Sequence, residues 1–224
     1  SLTSLNKLST SKYNFTSIST QFKNCRSHIR IDPTNTQFYC IGGDMNGSIM
    51  RGNIADGNNV QPIFSENGLV RITALDVDFK NKFIYFADAI SKCIYRTDLE
   101  GKNKAKIAAI SLELSIESSA SPILRIDQLQ NKFFLSTRSE SALNPKRLVL
   151  LSFNVPAIKW ESILEIPDEI GSAFSFDILP GSKVFYSYYK PSAKTSVVSR
   201  MNMDGTDVVK LFTGFDVRNV VVAM

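Results

Sequence analysis

The chain has 224 residues, of which 43% are hydrophobic and 21% charged, with a formal net charge of +5. That balance excludes an intrinsically disordered chain and supplies enough apolar surface for one all-β domain. No segment approaches the roughly 18 uninterrupted apolar residues of a membrane span, and the Lys and Arg residues are dispersed, so neither direct membrane insertion nor nucleic acid binding is expected.

The N-terminal residues Ser1-Leu2-Thr3-Ser4-Leu5-Asn6 have neither an initiator Met nor the charged and apolar regions of a signal peptide, which leads us to expect a processed or excised chain. Two glycosylation sequons follow, at Asn14 and Asn46, and lean towards a secretory route. From residue 28 a repeat begins. Residues 28–71 contain the alternating run HIRID, then FYCIGGD, SIMRGNIADG and NNVQPIF. Residues 72–120 restate this order as ITALDVD, FIYFAD, CIYRTDLEG and a closing run. Weaker copies occupy residues 121–172, with ILRIDQLQNKFFLST, and residues 173–214, with FSFDILPGSKVFYSYY. The strand-ending aspartates Asp32, Asp78, Asp127 and Asp177 are spaced by 46, 49 and 50 residues. A period of about 40 to 50 residues holding four short strands predicts β-propeller blades. The expected fold is therefore all-β, with four recognisable antiparallel blades, partial blades at residues 1–27 and 215–224, and a ring that another chain or a missing segment could complete.

Turn chemistry supports four strands per unit. Each of the four aspartates stands before turn formers, where its carboxylate is expected to accept backbone N–H bonds. Asp56-Gly57, Glu100-Gly101 and Asp204-Gly205 mark a second hairpin, read as type I′ because that turn needs φ > 0. One Arg recurs before each of these glycines, as Arg51, Arg96 and Arg200, and is expected to pair across blades or lie on the sheet face. Residues 108–117 have some helical character, yet their Ser-rich continuation reads as a loop between blades. Cys40 and Cys93 are expected to be buried small hydrophobes without a mutual bond, and Cys25–Cys40 is the one pairing to entertain.

The pattern resembles the YWTD repeats of the low-density-lipoprotein-receptor family of propellers. Tyr85-Phe86-Ala87-Asp88 keeps the tetrapeptide best, Tyr39-Cys40-Ile41-Gly42 keeps part of it with Asp44 nearby, and Phe134-Leu135-Ser136-Thr137 and Phe185-Tyr186-Ser187-Tyr188 keep traces. The resemblance spans residues 28–212 and implies a ligand-binding or scaffold propeller of an extracellular or cell-surface protein, engaging a protein ligand or an adjacent domain.

The chemistry of the chain points away from catalysis. The lone His28 has no second His for a metal site, and no nucleophile elbow or phosphate loop is present. No cofactor, metal or catalytic residue is expected. The alternatives are a calcium-dependent propeller lactonase or esterase, for which Asp76 and Asp78 would be ligand candidates, and a structural spacer in a coat or matrix protein. In an antiparallel blade the loops between second and third strands share one side with the blade connections. These loops are long at residues 137–146 and 188–195, and present Arg138, Lys146, Arg147, Tyr188, Tyr189, Lys190 and Lys194, a basic and aromatic set suited to an acidic or amphipathic protein segment.

Overall fold

A computed structural model of the chain describes residues 5–8, 15–18, 24–32, 34, 36–42, 47–54, 60–66, 68–110, 114–115, 122–139, 147–154, 160–167, 174–214, 217, 220 and 222. They form antiparallel strands and the turns that join them, with one 3-10 turn at Pro191–Ala193. The chain divides into two compact units, Ser1–Ile107 and Ala108–Met224.

The first unit opens with a hairpin of β1 (Leu5–Leu8) and β2 (Phe15–Ile18). A four-stranded sheet follows, built in order from β3 (Cys25–Asp32), β4 (Gln37–Gly42), β5 (Ser48–Asn53) and β6 (Gln61–Ser65). The next sheet has the same order, with β7 (Ile72–Asp78), β8 (Phe83–Asp88), β9 (Cys93–Asp98) and β10 (Ala105–Ala109). In the second unit β11 (Leu114–Ser115) and β12 (Ile123–Asp127) both pair with β13 (Lys132–Ser139), which continues to β14 (Arg147–Asn154) and β15 (Glu161–Pro167). Its last sheet is β16 (Phe174–Leu179), β17 (Lys183–Lys190), β18 (Thr195–Asn202) and β19 (Val209–Gly214). Four successive antiparallel sheets, three of four strands and one of four with β11 added, thus begin at the strands expected from the repeat. Leu114–Ser115 is extended rather than a loop or helix, because it extends the sheet beside Ser139 and Arg138.

Period-two alternation decides which side chains meet between sheets. In the first unit Tyr39, Ile41, Ile49 and Phe64 of one sheet interlock with Ile84 and Phe86 of the next, and the Phe64 and Phe86 rings lie 5.1 Å apart. In the second unit Phe134 shares a core with Phe176, Val184, Tyr186, Met201 and Met203. The alternate side chains of the first sheet, Phe38, Cys40 and Met50, form a separate core with Cys25.

Polar staples hold the first turns. Asp32 accepts from Thr34 N at 2.9 Å, Asp78 from Asn81 N at 2.9 Å, and Asp127 from Leu129 N at 2.9 Å. Asp177 corrects the expected pattern. It takes Arg125 Nε at 2.7 Å and Val222 N at 2.9 Å, and it stands two residues before the end of β16, in the register place of Asp76, while Leu179 holds the strand-ending position.

The third-to-fourth-strand turns also differ from type I′. Gly101 and Gly205 have φ of +75° and +87°, whereas Glu100 and Asp204 before them are not in the positive-φ region. Gly101 N and Gly205 N each donate to the carbonyl three residues back, on Asp98 and Asn202, at 3.0 Å. This is a type I turn closed by a left-handed glycine. The glycine is needed a second time by close approach: a Cβ on Gly101 would lie 2.0 Å from Ile63 O, and one on Gly205 2.4 Å from Ile163 O. The Asp56-Gly57 turn and the sequons at Asn14 and Asn46 lie outside the described residues.

Cys25 and Cys40 form a disulfide with Cα atoms 5.7 Å apart, so Cys40 is more than a small hydrophobe. Cys93 is a buried free thiol that donates to Ser91 O at 3.2 Å. His28 sits with φ 54° in a β-bulge of β3 and pairs with Ser27 Oγ at 3.0 Å, a structural role.

Three measurements follow from this packing. Gly101→Ala, which combines a strained φ with a backbone clash, is expected to cost about 2–4 kcal/mol in urea unfolding, against about 1 kcal/mol for Gly68→Ala, where only the φ is strained. Cys25→Ser should lower stability by about 2–3 kcal/mol, the scale for a closed loop of this length, and non-reducing peptide mapping should recover the Cys25 and Cys40 peptides joined. Burial raises Tyr39, Tyr85 and Tyr186 above the phenol value of 10.0. The unfolded chain then loses those protons first, so their contribution is complete below pH 10 and is lost as pH rises through the folded values. Tyrosinate absorbance at equilibrium should therefore lag for three of the seven tyrosines until the fold opens; one common midpoint in an intact fold would contradict this.

Candidate binding face

Each sheet has two ends. At one end lie the first-to-second and third-to-fourth turns, and at the other the second-to-third loops and the connections to the next sheet. In the second sheet the latter end is tied by Asp88, the last residue of the best-kept tetrapeptide. Its Oδ1 accepts from Arg71 N at 2.8 Å and Ile90 N at 3.1 Å, and its Oδ2 from Ser91 N at 3.2 Å and Ser91 Oγ at 2.5 Å. One buried carboxylate thus fixes both a tight β8–β9 turn and the entry into β7, with Ile90 and Leu69 left exposed.

The corresponding hairpins of the second unit are extended further than their sequence suggested. Tyr188, Tyr189 and Lys190 are strand residues of β17, opposite Val197, Ser196 and Thr195, so the loop proper is only residues 191–194. Backbone hydrogen bonding to β18 continues past the point where polar composition predicted a loop. Pro191 starts the 3-10 turn, and Lys194, with φ 49°, donates its N–H to Pro191 O at 3.1 Å. Arg138 and Arg147 are likewise strand residues, Arg138 opposite Leu148 and Arg147 opposite Ser139. Lys146 lies outside the described residues.

Lys190 and Lys194 are exposed at the hairpin end, with Tyr189 partly exposed beside them in the strand. Among the described residues neither lysine enters an ion pair. Tyr188 is not available in the same way. Its ring stacks on Tyr186, 6.4 Å away at 15°, and packs against the core. Of the seven residues singled out from sequence, the structure therefore brings Tyr189, Lys190 and Lys194 together at one hairpin and places Arg138 and Arg147 on the paired strands of the preceding sheet.

Several other charged residues are engaged in the architecture. Asp76 takes Arg30 Nε at 2.5 Å, and Arg125 makes the matching bond to Asp177 in the second unit, each from one innermost strand to the next. Both arginines also donate Nη1 to the carbonyl of the preceding residue. Arg51 reaches Glu100 Oε1 at 2.5 Å across two sheets, and this bond holds the Glu100 carboxyl below its ordinary range. Arg96 instead covers the Phe83 ring at 4.3 Å, so the recurring Arg plays both expected parts. Arg30 and Arg125 were not singled out from sequence. Aligning HIRID, LDVD and ILRID from their ends would have exposed the alternation of Arg and Asp two residues before the strand terminus. Among the described residues no group of three or more His, Cys, Asp or Glu could hold a metal ion.

No family model and no curated protein sequence matches the chain. Solved structures do. A putative TolB from Agrobacterium tumefaciens is 16% identical with a TM-score of 0.65, covering 96% of this chain and 76% of its own. A chain of a nidogen/laminin complex is 11% identical with a TM-score of 0.57, covering 94% and 89%. A xyloglucanase from Xanthomonas campestris is 13% identical with a TM-score of 0.59, covering 89% of this chain and 33% of its own. At such identities the likeness concerns the fold, and with the repeated four-stranded antiparallel sheets it makes this chain a β-propeller.

Proposed function

We propose that the chain is a non-enzymatic protein-interaction module of the YWTD-repeat kind, taking an acidic or amphipathic protein segment at the end of the sheets that carries the second-to-third-strand loops. The observation that carries this reading is the β17–β18 hairpin. It holds two exposed lysines and a partly exposed tyrosine on a short, backbone-bonded turn, so the cations are presented by a rigid element. Cations on a preorganised hairpin steer an acidic partner and order little on binding, and an adjacent aromatic adds apolar contact area. A structure whose fold is similar comes from a nidogen/laminin complex, which supports a binding role for the fold without naming a partner here.

Among the described residues the carboxylates Asp32, Asp76, Asp78, Asp88 and Asp127 are each buried and bonded within turns or between strands. This favours binding over the calcium-dependent hydrolase, whose candidate ligands Asp76 and Asp78 have structural work. The Cys25–Cys40 disulfide favours an oxidising compartment, in line with an extracellular or cell-surface protein.

The test is calorimetric titration with a Glu-rich peptide carrying interspersed Leu and Phe. Lys190→Glu combined with Lys194→Glu should weaken binding by about tenfold or more at unchanged melting temperature. Lys102→Glu, at the opposite end of its sheet, should do neither. Equal effects from both substitutions, or no binding by the unsubstituted chain, would reject this face. Turnover of lactones or aryl esters in the presence of calcium would reject the non-enzymatic reading, and self-assembly into ordered arrays would favour a spacer.

A further inference from the structure

Two sheet-to-sheet junctions, one inside each unit, are built on the same backbone frame. In each, the left-handed glycine of a third-to-fourth-strand turn lies under a bulge carbonyl, Gly101 under Ile63 O and Gly205 under Ile163 O. The two turns close alike: Asp98 N donates to Lys102 O at 2.9 Å and Asn202 N to Thr206 O at 2.8 Å, and Asn103 and Asp207 have φ of 57° and 53°. The strands that receive them share a register, with Arg51 opposite Gln61 in one sheet and Ser152 opposite Glu161 in the other. Positions therefore correspond across the two junctions: Arg51 with Ser152, Glu66 with Ile166, Tyr95 with Ser199, Glu100 with Asp204, and Lys104 with Val208.

The side chains set on this frame differ. In the first unit Lys104 Nζ lies 2.6 Å from Glu66 Oε2 across the junction, 4.4 Å from the centre of the Tyr95 ring and 5.7 Å from that of Phe64. Phe86 backs both rings, at 5.7 and 5.1 Å. The lysine is delivered by a turn that Asp98 fixes through Glu100 N, Lys102 N and Asn103 Nδ2. Arg51 crosses the other way, to Leu99 O at 3.4 Å and to Glu100 Oε1. In the second unit Ile166 is buried in a core with Ile163 and Leu164, and Val208 and Ser199 hold the places of Lys104 and Tyr95. The carbonyl of Met203, which corresponds to Leu99 O, accepts instead from Lys132 Nζ at 2.8 Å, a residue of the second strand rather than the third.

We infer that Glu66 and Lys104 are a docking code, which pairs the second sheet with the first and disfavours its docking on the third sheet of another copy of the chain. On that third sheet Lys104 would meet Ile166 in place of a carboxylate and Leu164 in place of the Phe64 ring. In the reverse error the fourth sheet would set Val208 against Glu66 and leave the carboxylate unpaired. The strength of the correct junction comes from its apolar core, because a surface ion pair and a cation–π contact each change an equilibrium by only about two- to fivefold. Discrimination follows from the difference between right and wrong partners, to which the Arg51–Glu100 bond adds, since Ser152 cannot replace Arg51. Sheets that share one backbone frame are prone to exchange between copies during folding, and a discriminating pair opposes that exchange.

The test is refolding of the full chain over a range of protein concentrations, with size-exclusion chromatography to separate monomer from discrete dimer. Glu66→Ile combined with Lys104→Val gives the first junction the side chains of the second. It should raise the dimer fraction by about fivefold or more while the melting temperature of the monomer holds or rises. Lys106→Val, which places the same apolar residue at a neighbouring exposed position of β10, should leave the dimer fraction at the parent value. Lys104→Glu alone should raise it, and adding Glu66→Lys should restore it, a rescue that a general effect of charge would not produce. The apolar pair reads the code whether or not the single reversal folds. A dimer fraction in the apolar pair equal to the parent's, or no rescue by Glu66→Lys in a folded chain, overturns the proposal. So does a gain from Lys106→Val that matches the apolar pair, since added apolar surface alone would then account for it.

Discussion

The structure depends on how closely one twisted four-stranded sheet can lie against the next within each unit. The limit is set at the outer edge by backbone meeting backbone: a bulge carbonyl, on Ile63 or Ile163, sits against a turn glycine that has no Cβ. Any other residue at Gly101 or Gly205 would hold the sheets apart and open the aromatic contact between Phe64 and Phe86, or that of Phe134 with the last sheet. Interiors pack to crystal-like density, so such a gap forfeits dispersion contacts along the whole junction. The bulge serves the same end. It turns a carbonyl out of the ladder and adds local twist where the neighbouring turn must fit.

At the inner edge the contact is ionic. Arg30 to Asp76 and Arg125 to Asp177 repeat one geometry in the two units, with the side chains 10–21% exposed. Partial burial of an ion pair yields little net stability over an apolar pair, but a partner left alone there would be costly. The pair therefore serves register better than strength. It admits one alignment of successive innermost strands, while the apolar side chains further out would tolerate a slip. Asp127 adds a second such tie by accepting Leu129 N in its own turn and Gly181 N in the next sheet's turn, at 2.9 Å each.

These constraints separate architecture from recognition. The carboxylates and arginines that lie between strands are consumed by the fold, and so is Tyr188, drawn into the tyrosine stack of the last sheet. Among the side chains left for a partner are Lys190 and Lys194 at a hairpin end and Leu211 and Phe212 on an outer strand, whose backbone is fixed but whose tips are not. The first pair offers charge and the second apolar area, so the two surfaces suit partners of different chemistry.

Local chemistry determined much of this protein in advance. Alternation of apolar residues located the strands, Asx residues before turn formers located the first turns, and the acidic-Gly pairs located the hairpins, because each rests on a few adjacent residues. The same local signals misjudged Asp177, since an Asp two residues early in a strand looks like an Asp at its end until the pairing register with β17 is known. They also placed Tyr188, Tyr189 and Lys190 in a loop, because polar and aromatic composition does not reveal how far a ladder with β18 continues. Only tertiary structure joined Cys25 to Cys40, set Arg30 on Asp76 and Arg125 on Asp177, and distinguished the covered Phe64 from the exposed Phe212. Each of those outcomes depends on residues 15 to more than 40 positions apart, brought together by register and by which sheet lies next, and neither is written in any single strand.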